Sequence, residues 1–387
     1  MTKDRTRPIA AFIDLAAQRE QLGDSVVTAI AAVLKHGRYV LGPEVSELER
    51  RLAEFCGAKH CISCANGTDA LLLVLMVEGI GPGDAVFVPD FTFVATAEVV
   101  VLAGATPVLV DVHPDTFNMD VESLEAAIDE AKRLGLNPRA VIPVDLYGQP
   151  ADYAAINRVA KANDLIVVAD AAQSFGASLN GKNVGTLADY TATSFYPSKP
   201  LGGYGDGGAI LTDGDAKAKL LVSLRCHGKA PDQAESEYVG LNSRLDTIQA
   251  AILLEKLRLF PSEIAARQNA AERYAEGLGG VVQVPVLIDG AASVWAQYTI
   301  QLERRDEFAK ACHEVGVPTA IHYLSAIHSL PSYREFPRAP GLRHTDRLAR
   351  HVISLPMHGY LGAETQEGII GAVQTVLRSL KAGVAAE

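Results

Sequence analysis

Residues 165–174 read LIVVADAAQS, in which five apolar residues run up to Asp170. A continuous rather than alternating apolar run is typical of a strand buried on both faces of a sheet. Short runs of the same kind, rich in β-branched residues, recur at 85–88, 107–110, 140–144 and 209–211. Helical patterns separate them at 69–77, 92–103, 120–132 and 151–163. This alternation predicts an α/β fold built on a large, mostly parallel sheet.

The chain of 387 residues is long enough for two domains. The alternating pattern covers residues 20–260, which are predicted to form the large α/β domain. Beyond it, polar and strand-like pieces mix, with a strand pattern at 296–302 and a helical pattern near 305–315. We therefore predict a smaller α+β C-terminal domain over residues 261–387, to which residues 1–19 are a candidate addition.

Composition and charge argue against several classes of protein. The formal net charge of −11 and the pI near 5.4 disfavour a nucleic-acid-binding face, which needs clustered Lys and Arg. No apolar stretch approaches the length of about 18 residues typical of a membrane span. Residues 1–10 are polar and lack the apolar core of a signal peptide, so we expect a cytoplasmic protein.

The five cysteines are too few, and odd in number, for a disulfide framework. Cys61 and Cys64, preceded by His60, are compatible with zinc or redox chemistry, but no second ligand pair follows at short spacing. The pattern of residues 60–65 indicates a buried strand instead, and no metal site is predicted.

A candidate phosphate site lies in residues 65–71, which read ANGTDAL. Gly67 permits a tight turn after a strand, and Thr68 or Asp69 is positioned to cap the following helix. The first amides of a helix have no internal partner and carry the positive end of its dipole, so they bind phosphate readily. Plain strand-to-helix connectivity produces the same pattern and stays open as the alternative.

Asp170 follows directly on a strand that is expected to be central in the sheet. Ligands of open α/β sheets bind at the carboxyl ends of the strands. A carboxylate there is suited to the protonated ring nitrogen of pyridoxal phosphate, since a protonated ring is the better electron acceptor. The alternative is an Asp that only caps the next helix.

Lys199 lies in a glycine-rich loop, residues 193–208, that follows a strand. Such a lysine is either an exposed basic residue or, if desolvated at the sheet edge, a candidate Schiff-base lysine. Gly203, Gly205 and Gly208 also match G-x-G-x-x-G. We reject a dinucleotide site, because these glycines lead into a strand pattern rather than a helix.

Taken together, the motifs resemble the DegT/StrS family of sugar aminotransferases over nearly the whole chain and in the same order. The resemblance rests on GRYVLGPEV (37–45), NGTDA (66–70), PDFTFVAT (89–96), DAAQS (170–174), SFYPSK (194–199), GDGGA (205–209), NSRLD (242–246) and SLPMH (354–358). It implies the fold type I architecture of pyridoxal-phosphate-dependent aminotransferases, with active sites at a homodimer interface. In the related sugar dehydratases a His replaces the catalytic Lys, whereas position 199 here is Lys.

The resemblance also assigns roles to individual residues. Lys199 would form the Schiff base with the cofactor and then carry the proton between substrate and cofactor carbons. The resemblance also implies three contacts with the cofactor ring: Asp170 would bind the ring nitrogen, Gln173 the phenolic oxygen, and Phe93 would stack on the ring face. The backbone of Gly67 and Thr68, together with the Ser194 hydroxyl, would hold the phosphate. Asn242 would reach that phosphate from the partner subunit.

Two stretches, residues 90–98 and 195–208, are most similar to family members that act on UDP-linked 3-oxo-N-acetylglucosaminuronate. Those enzymes use L-glutamate as the amino donor and serve surface-polysaccharide synthesis, including that of O-antigen and lipopolysaccharide. Both substrates carry a carboxylate, which needs a cationic or hydrogen-bonding partner. The candidates are Arg244, His322, Tyr323 and His328.

Other interpretations remain open at this level. Each of these histidines is also compatible with a purely structural role. Within the family, the alternative substrate is a neutral dTDP- or UDP-linked keto-deoxysugar. The alternative of another class is a non-enzymatic regulator that keeps the fold and only binds a ligand.

Overall fold

The computed structural model describes residues 8–229 and 235–384, so the first seven residues of the predicted 1–19 addition lie outside the described part. The helices are α1 Leu15–Leu22, α2 Ser25–His36, α3 Pro43–Cys56, α4 Gly67–Val77, α5 Ala95–Leu102, α6 Val121–Arg133, α7 Tyr153–Ala162, α8 Asp215–Leu224, α9 Thr247–Leu278, α10 Arg305–Glu314, α11 Arg343–His351 and α12 Ala363–Val384. The strands are β1 His60–Cys64, β2 Asp84–Pro89, β3 Thr106–Val110, β4 Asn137–Val141, β5 Ile166–Asp170, β6 Ser178–Leu179, β7 Lys182–Asn183, β8 Tyr190–Ser194, β9 Gly208–Thr212, β10 Ala291–Ala292, β11 Tyr298–Gln301 and β12 Val352–Leu355.

A seven-stranded sheet with the order β1-β9-β8-β5-β4-β2-β3 forms the centre of the molecule. Only β9 runs against its neighbours, and the pairs from β8 to β3 are all parallel. The prediction of a mostly parallel sheet is therefore confirmed. The continuous apolar runs did not reveal β8, whose sequence YTATS is rich in threonine rather than aliphatic residues.

Both faces of this sheet are covered by helices, as the continuous apolar runs predicted. On one face, Val86 and Val88 of β2 belong to a buried cluster with α4, α5 and α8. On the other face, Phe87 of the same strand joins a cluster formed largely with α6 and α7. Alternate residues of one strand are thus buried on opposite sides, which explains why the strand reads as uniformly apolar.

The topology brings the carboxyl ends of the six parallel strands to one edge of the sheet, and four of these ends lie next to residues of the predicted site or their neighbours. β1 ends before Asn66, β2 before Asp90, β5 at Asp170 and β8 at Ser194. Because these strands point the same way, residues that are distant in sequence meet at this edge.

The C-terminal part has its own buried cluster, in which β11 and β12 pair antiparallel and pack with α10, α12 and the end of α9. The predicted strand and helix of this part occur at Tyr298–Gln301 and Arg305–Glu314. Ile9 donates its backbone N–H to Gly316, and Phe12 accepts from Met357, so residues near the N-terminus contact this part. The continuous helix α9 passes through the predicted boundary at residue 261, and the division into two domains stays a prediction.

Within the described ranges, we find no helix that is both long and apolar enough to cross a membrane. The same residues contain no group of three or more His, Cys, Asp or Glu arranged to hold a metal ion.

Candidate active site

A cavity of about 540 Å³ opens at the carboxyl edge of the sheet. Nine of the residues singled out from the sequence line it: Gly67, Thr68, Phe93, Asp170, Gln173, Ser194, Lys199, His322 and Tyr323. These residues come from segments spread over more than half the chain. The fold gathers them around one space.

One end of the cavity is formed by the start of α4. Asn66 precedes the helix and its side-chain oxygen accepts the N–H of Asp69 at 2.8 Å. The prediction that Thr68 or Asp69 caps this helix is therefore wrong, because the helix already begins at Gly67. A Cβ atom on Gly67 would lie 2.7 Å from the Cβ of Ser194, so only glycine lets the helix start approach that strand end so closely. The first amides of α4 and the Ser194 hydroxyl are suited to hold a phosphate group.

Asp170 occupies the floor of the cavity at the end of β5 and is 7% exposed. One carboxylate oxygen accepts the hydroxyl of Thr96 at 2.9 Å, and the other accepts the N–H of Ala172 at 3.2 Å. Burial raises the pKa of this carboxyl, whereas these two hydrogen bonds and the charge of Lys199 lower it. Residues 172–176 form turns, so Asp170 does not cap a helix as the alternative interpretation required.

Lys199 projects into the cavity from the loop between β8 and β9. Its own N–H donates to the Tyr196 carbonyl at 2.8 Å, and Gly203 donates to Phe195 at 2.7 Å, which closes the loop. Burial lowers the pKa of the Lys199 amine, and the charge of Asp170 opposes that effect. The cavity thus contains an amine whose neutral form is favoured by burial. It also contains a carboxylate whose charge favours the protonated form of that amine.

Gln173 is held in one orientation by two partners. Its amide oxygen accepts the backbone N–H of Tyr147 at 2.8 Å, and its NH₂ group donates to the Tyr323 hydroxyl at 3.2 Å. Because the oxygen is already engaged by the backbone, the amide presents donors on the side of Tyr323. A donor there fits the phenolic oxygen of a pyridoxal ring, as the sequence resemblance implied.

Phe93 lines the cavity with 54% of its surface exposed, which is unusual for a large aromatic side chain. Its ring centroid lies 6.1 Å from that of Tyr323. An exposed ring in a cavity provides a flat apolar surface on which a planar ligand can stack.

Further cavity residues were not identified from the sequence: Thr92, Tyr196, Ser198, Asp206 and Gln297. Gln297 comes from the C-terminal part of the chain, and no spacing rule links it to the sheet edge. The Oε1 atom of Gln297 and the Nδ1 atom of His322 are buried and have no hydrogen-bond partner among the described residues. Buried polar atoms without partners indicate a site that a polar ligand completes.

Three predicted residues do not line this cavity. Asn242 is exposed and forms an isolated antiparallel bridge with Cys226, and Arg244, two residues later, is partly exposed. His328 instead bonds to Asp90, with 2.5 Å between its Nδ1 atom and the carboxylate, and lies 3.4 Å from Asp346. The roles proposed for these residues in phosphate and substrate binding stay predictions.

Two curated relatives with enzyme names resemble the chain along almost its entire length. The UDP-2-acetamido-2-deoxy-3-oxo-D-glucuronate aminotransferase of Pseudomonas aeruginosa is 48% identical over 94% of this chain and 99% of its own. A UDP-N-acetyl-3-dehydro-alpha-D-glucosamine 3-aminotransferase of Acidithiobacillus ferrooxidans is 39% identical over 98% and 99%. A pleiotropic regulatory protein of Geobacillus stearothermophilus is likewise 39% identical, over 95% and 98%.

Solved structures show the same fold. An aminotransferase from Brucella abortus has a TM-score of 0.93 and 49% identity, covering 95% of this chain and 99% of its own. DesV from S. venezuelae has a TM-score of 0.91 and 38% identity, with 96% and 99% covered. NtdA from Bacillus subtilis, solved with bound cofactor PMP, has a TM-score of 0.86 and 27% identity over 97% and 86%.

These likenesses confirm the predicted aminotransferase architecture. Residues 20–374 also match the family described as DegT/DnrJ/EryC1/StrS aminotransferases. With the sheet topology, the cavity and its lysine, this match establishes that the chain belongs to the DegT/DnrJ/EryC1/StrS aminotransferase family.

Proposed function

We propose that the protein transfers the amino group of L-glutamate to carbon 3 of UDP-linked 2-acetamido-2-deoxy-3-oxo-glucuronate, with pyridoxal 5'-phosphate as cofactor. The observation that carries the proposal is the placement of Lys199 and Asp170 in one cavity, where each influences the ionisation of the other. The reaction balances as an exchange: the keto sugar becomes an amino sugar while glutamate becomes its keto acid.

The cofactor expected from the sequence is confirmed, because the chain belongs to an aminotransferase family whose solved members include PLP and PMP forms. The site fits this group. The start of α4 and Ser194 would hold the phosphate, Asp170 would pair with the ring nitrogen, and Phe93 would stack on the ring face. When bound, pyridoxal phosphate supplies a conjugated ring that accepts the electron pair released at a substrate carbon.

The residues of the chain perform the proton steps in this proposal. Burial favours the neutral form of the Lys199 amine, so Nζ can take the proton from the α-carbon of the donor. The same atom then returns a proton to carbon 3 of the sugar. Asp170, supported by the hydrogen bond from Thr96, would supply the negative charge that pairs with the protonated ring nitrogen. Gln173, whose amide is held by Tyr147 and Tyr323, would donate an N–H to the phenolic oxygen of the cofactor.

The relatives support the sugar assignment. The relative that is 48% identical is named for the 3-oxo-glucuronate, and the one from Acidithiobacillus ferrooxidans is named for a related UDP sugar aminated at position 3. An acid substrate and an acid donor both need cationic partners. We extend the proposal to surface-polysaccharide synthesis and to a cytoplasmic location, which stay predictions.

The substrate is tested with a panel of UDP- and dTDP-linked keto sugars at equal concentration, comparing uronates with neutral 6-deoxy forms. The proposal predicts that the UDP-linked 3-oxo-uronate is aminated fastest. Faster amination of a neutral 6-deoxy sugar would overturn the uronate assignment, although the aminotransferase assignment would stand.

We also propose a homodimer whose two sites each use residues from both copies. Among the described residues that line the cavity, Lys199 is the only lysine or arginine, and Asp170 and Asp206 add negative charge. A UDP-linked uronate, which carries a diphosphate and a carboxylate, therefore needs positive charge from elsewhere. We assign that role to Arg244 of the partner copy, with Asn242 of that copy reaching the phosphate. Most soluble oligomers have such twofold interfaces.

A regulatory role is the second candidate, favoured by the relative named as a pleiotropic regulatory protein. A protein that only binds a ligand does not need a buried amine opposite a buried carboxylate. The two functions separate in one half-reaction: an enzyme mixed with L-glutamate alone converts its bound cofactor to the amine form, whereas a pure binder leaves the cofactor absorbance unchanged.

A further inference from the structure

Lys256 is a buried lysine outside the cavity, on helix α9, and only 2% of its surface is exposed. Lysine is almost never buried to this degree unless its charge is satisfied. Its ammonium donates to the carbonyl oxygen of Gly202 at 2.6 Å and lies 4.3 Å above the ring centroid of Tyr204. Both partners belong to the loop that carries Lys199.

The contact with Gly202 is made at a tight turn of this loop. A Cβ atom on Gly202 would lie 2.6 Å from the carbonyl oxygens of Tyr196 and Pro197, so the turn folds tightly back on itself. Lys199 is in the middle of that turn, three residues before Gly202. A displacement of the Gly202 carbonyl is therefore transmitted to the backbone of Lys199 over a short, tightly packed segment.

The same face of α9 holds the loop at a second point. Gln249, two helical turns before Lys256, accepts the N–H of Tyr204 at 2.8 Å. Cβ atoms on Gly203 and Gly205 would lie 2.8 and 2.9 Å from the Gln249 amide, so the backbone lies directly against this side chain.

The ammonium form of Lys256 strengthens both contacts, since a cation is attracted by an aromatic ring face and donates more strongly to a carbonyl than a neutral group does. Burial lowers the pKa of Lys256 to about 8, and the charge of Glu263 opposes this effect. The amine thus remains mostly protonated near neutral pH.

We propose that Lys256 is a positioning residue for Lys199, whose ammonium fixes the Gly202 carbonyl and the Tyr204 ring so that the loop presents the Lys199 amine to the cavity. Lys256 itself lies outside the residues that line the cavity. Replacing it with an apolar side chain of similar length leaves the Gly202 carbonyl without its donor, which favours a rearranged loop. The inference rests on the proposed role of Lys199.

The test compares Lys256→Met with Arg258→Met in the full-length protein. Arg258 is on the same helix and pairs with Glu255 at the surface, so its substitution removes a long cation without affecting the loop. Without cofactor, we expect the amides of Lys199 and Gly203 to exchange hydrogen about 10-fold faster or more in Lys256→Met, and at the wild-type rate in Arg258→Met. With cofactor and substrates, kcat should fall at least as much while KM for the sugar changes little.

Lys256→Gln provides the second variant, because a neutral amide can still donate to the Gly202 carbonyl. We expect Lys256→Gln to recover part of the loop's protection from hydrogen exchange and part of kcat. This variant also serves if Lys256→Met proves too unstable to study. The proposal would be overturned if the amides of Lys199 and Gly203 exchanged hydrogen at the wild-type rate in Lys256→Met. It would also be overturned if Lys256→Gln accelerated hydrogen exchange equally throughout the protein. Because the exchange needs neither cofactor nor substrate, it can fail independently of the proposed function.

Discussion

Thr96 donates a hydrogen bond of 2.9 Å to the carboxylate of Asp170, although the two residues are 74 positions apart in the chain. Thr96 lies at the start of α5, the helix that follows β2. Asp170 ends β5, which is two strands away from β2 in the sheet. The bond supports the ionised form of a buried carboxylate whose pKa burial raises. We therefore expect Thr96 to affect cofactor binding through Asp170, although Thr96 is not among the residues that line the cavity.

Thr96→Val removes this donor with little change in shape, and we expect weaker binding of pyridoxal phosphate. A hydrogen bond to a charged group contributes about 1.5–3 kcal/mol, so the dissociation constant should rise about 10-fold or more. Thr191→Val is the control, since the hydroxyl of Thr191 donates instead to the Val184 carbonyl. Equal affinities in Thr96→Val and wild type would show that the hydroxyl does not support Asp170.

Asp145 is fully buried beside the site, and burial raises its pKa to about 7. It accepts from the Ser174 hydroxyl at 2.7 Å and from the Tyr153 hydroxyl at 2.9 Å. Between the ordinary carboxyl pKa and about 7, the folded protein retains a proton that the unfolded chain has released, so stability falls as pH rises through this window.

Asp145→Asn should remove that dependence. The free energy of unfolding of both proteins is compared between about pH 5 and about pH 8. Over this range wild type should lose about 3 kcal/mol more than the variant. Denaturant unfolding of cofactor-free protein measures this difference, since bound cofactor would add its own pH dependence. Parallel pH profiles for the two proteins would contradict the assignment.

His328 tests a structural role against a substrate-binding role. Its hydrogen bond with Asp90 raises the pKa of the imidazole, so the stabilisation is complete below the unfolded histidine pKa and is lost as pH rises through the folded one. His328→Ala should destabilise the protein by about 2 kcal/mol or more at about pH 6, and by less at about pH 9.

The matched control is His60→Ala, because His60 pairs with the exposed Asp215 and such surface pairs contribute little. A wild-type stability for His328→Ala together with a raised KM for the sugar would instead favour the substrate-binding role.

Shared active sites predict complementation between inactive subunits. Mixing Lys199→Ala with Asn242→Ala forms heterodimers in which one site is intact, so random exchange should restore about a quarter of wild-type activity. Lys199→Ala mixed with Asp170→Ala is the control, since both residues belong to one chain's cavity and no hybrid site is complete. Activity in the control mixture, or none in the first despite proven subunit exchange, would contradict shared sites.

The fold was largely predictable because strands buried on both faces leave continuous apolar runs, as in residues 165–169. Strand β8 was expected only as the strand before the loop of residues 193–208. It left no apolar run because threonines fill its interior positions, where Thr191 and Thr193 donate to backbone carbonyls. Within the site, loop and strand-end position made Lys199 and Asp170 candidates, and the family resemblance assigned their roles. Thr96 and Gln297 were not, since their roles arise only when distant segments meet in three dimensions.

The most direct test of the account is where the cofactor becomes attached. Purified protein is incubated with pyridoxal phosphate, reduced with borohydride, digested and mapped by mass spectrometry. We predict that the reduced cofactor is found on Lys199, and that Lys199→Ala shows neither this label nor the absorbance of the bound cofactor. A label on Lys256 or another lysine, or an unchanged absorbance with turnover in Lys199→Ala, would contradict the account.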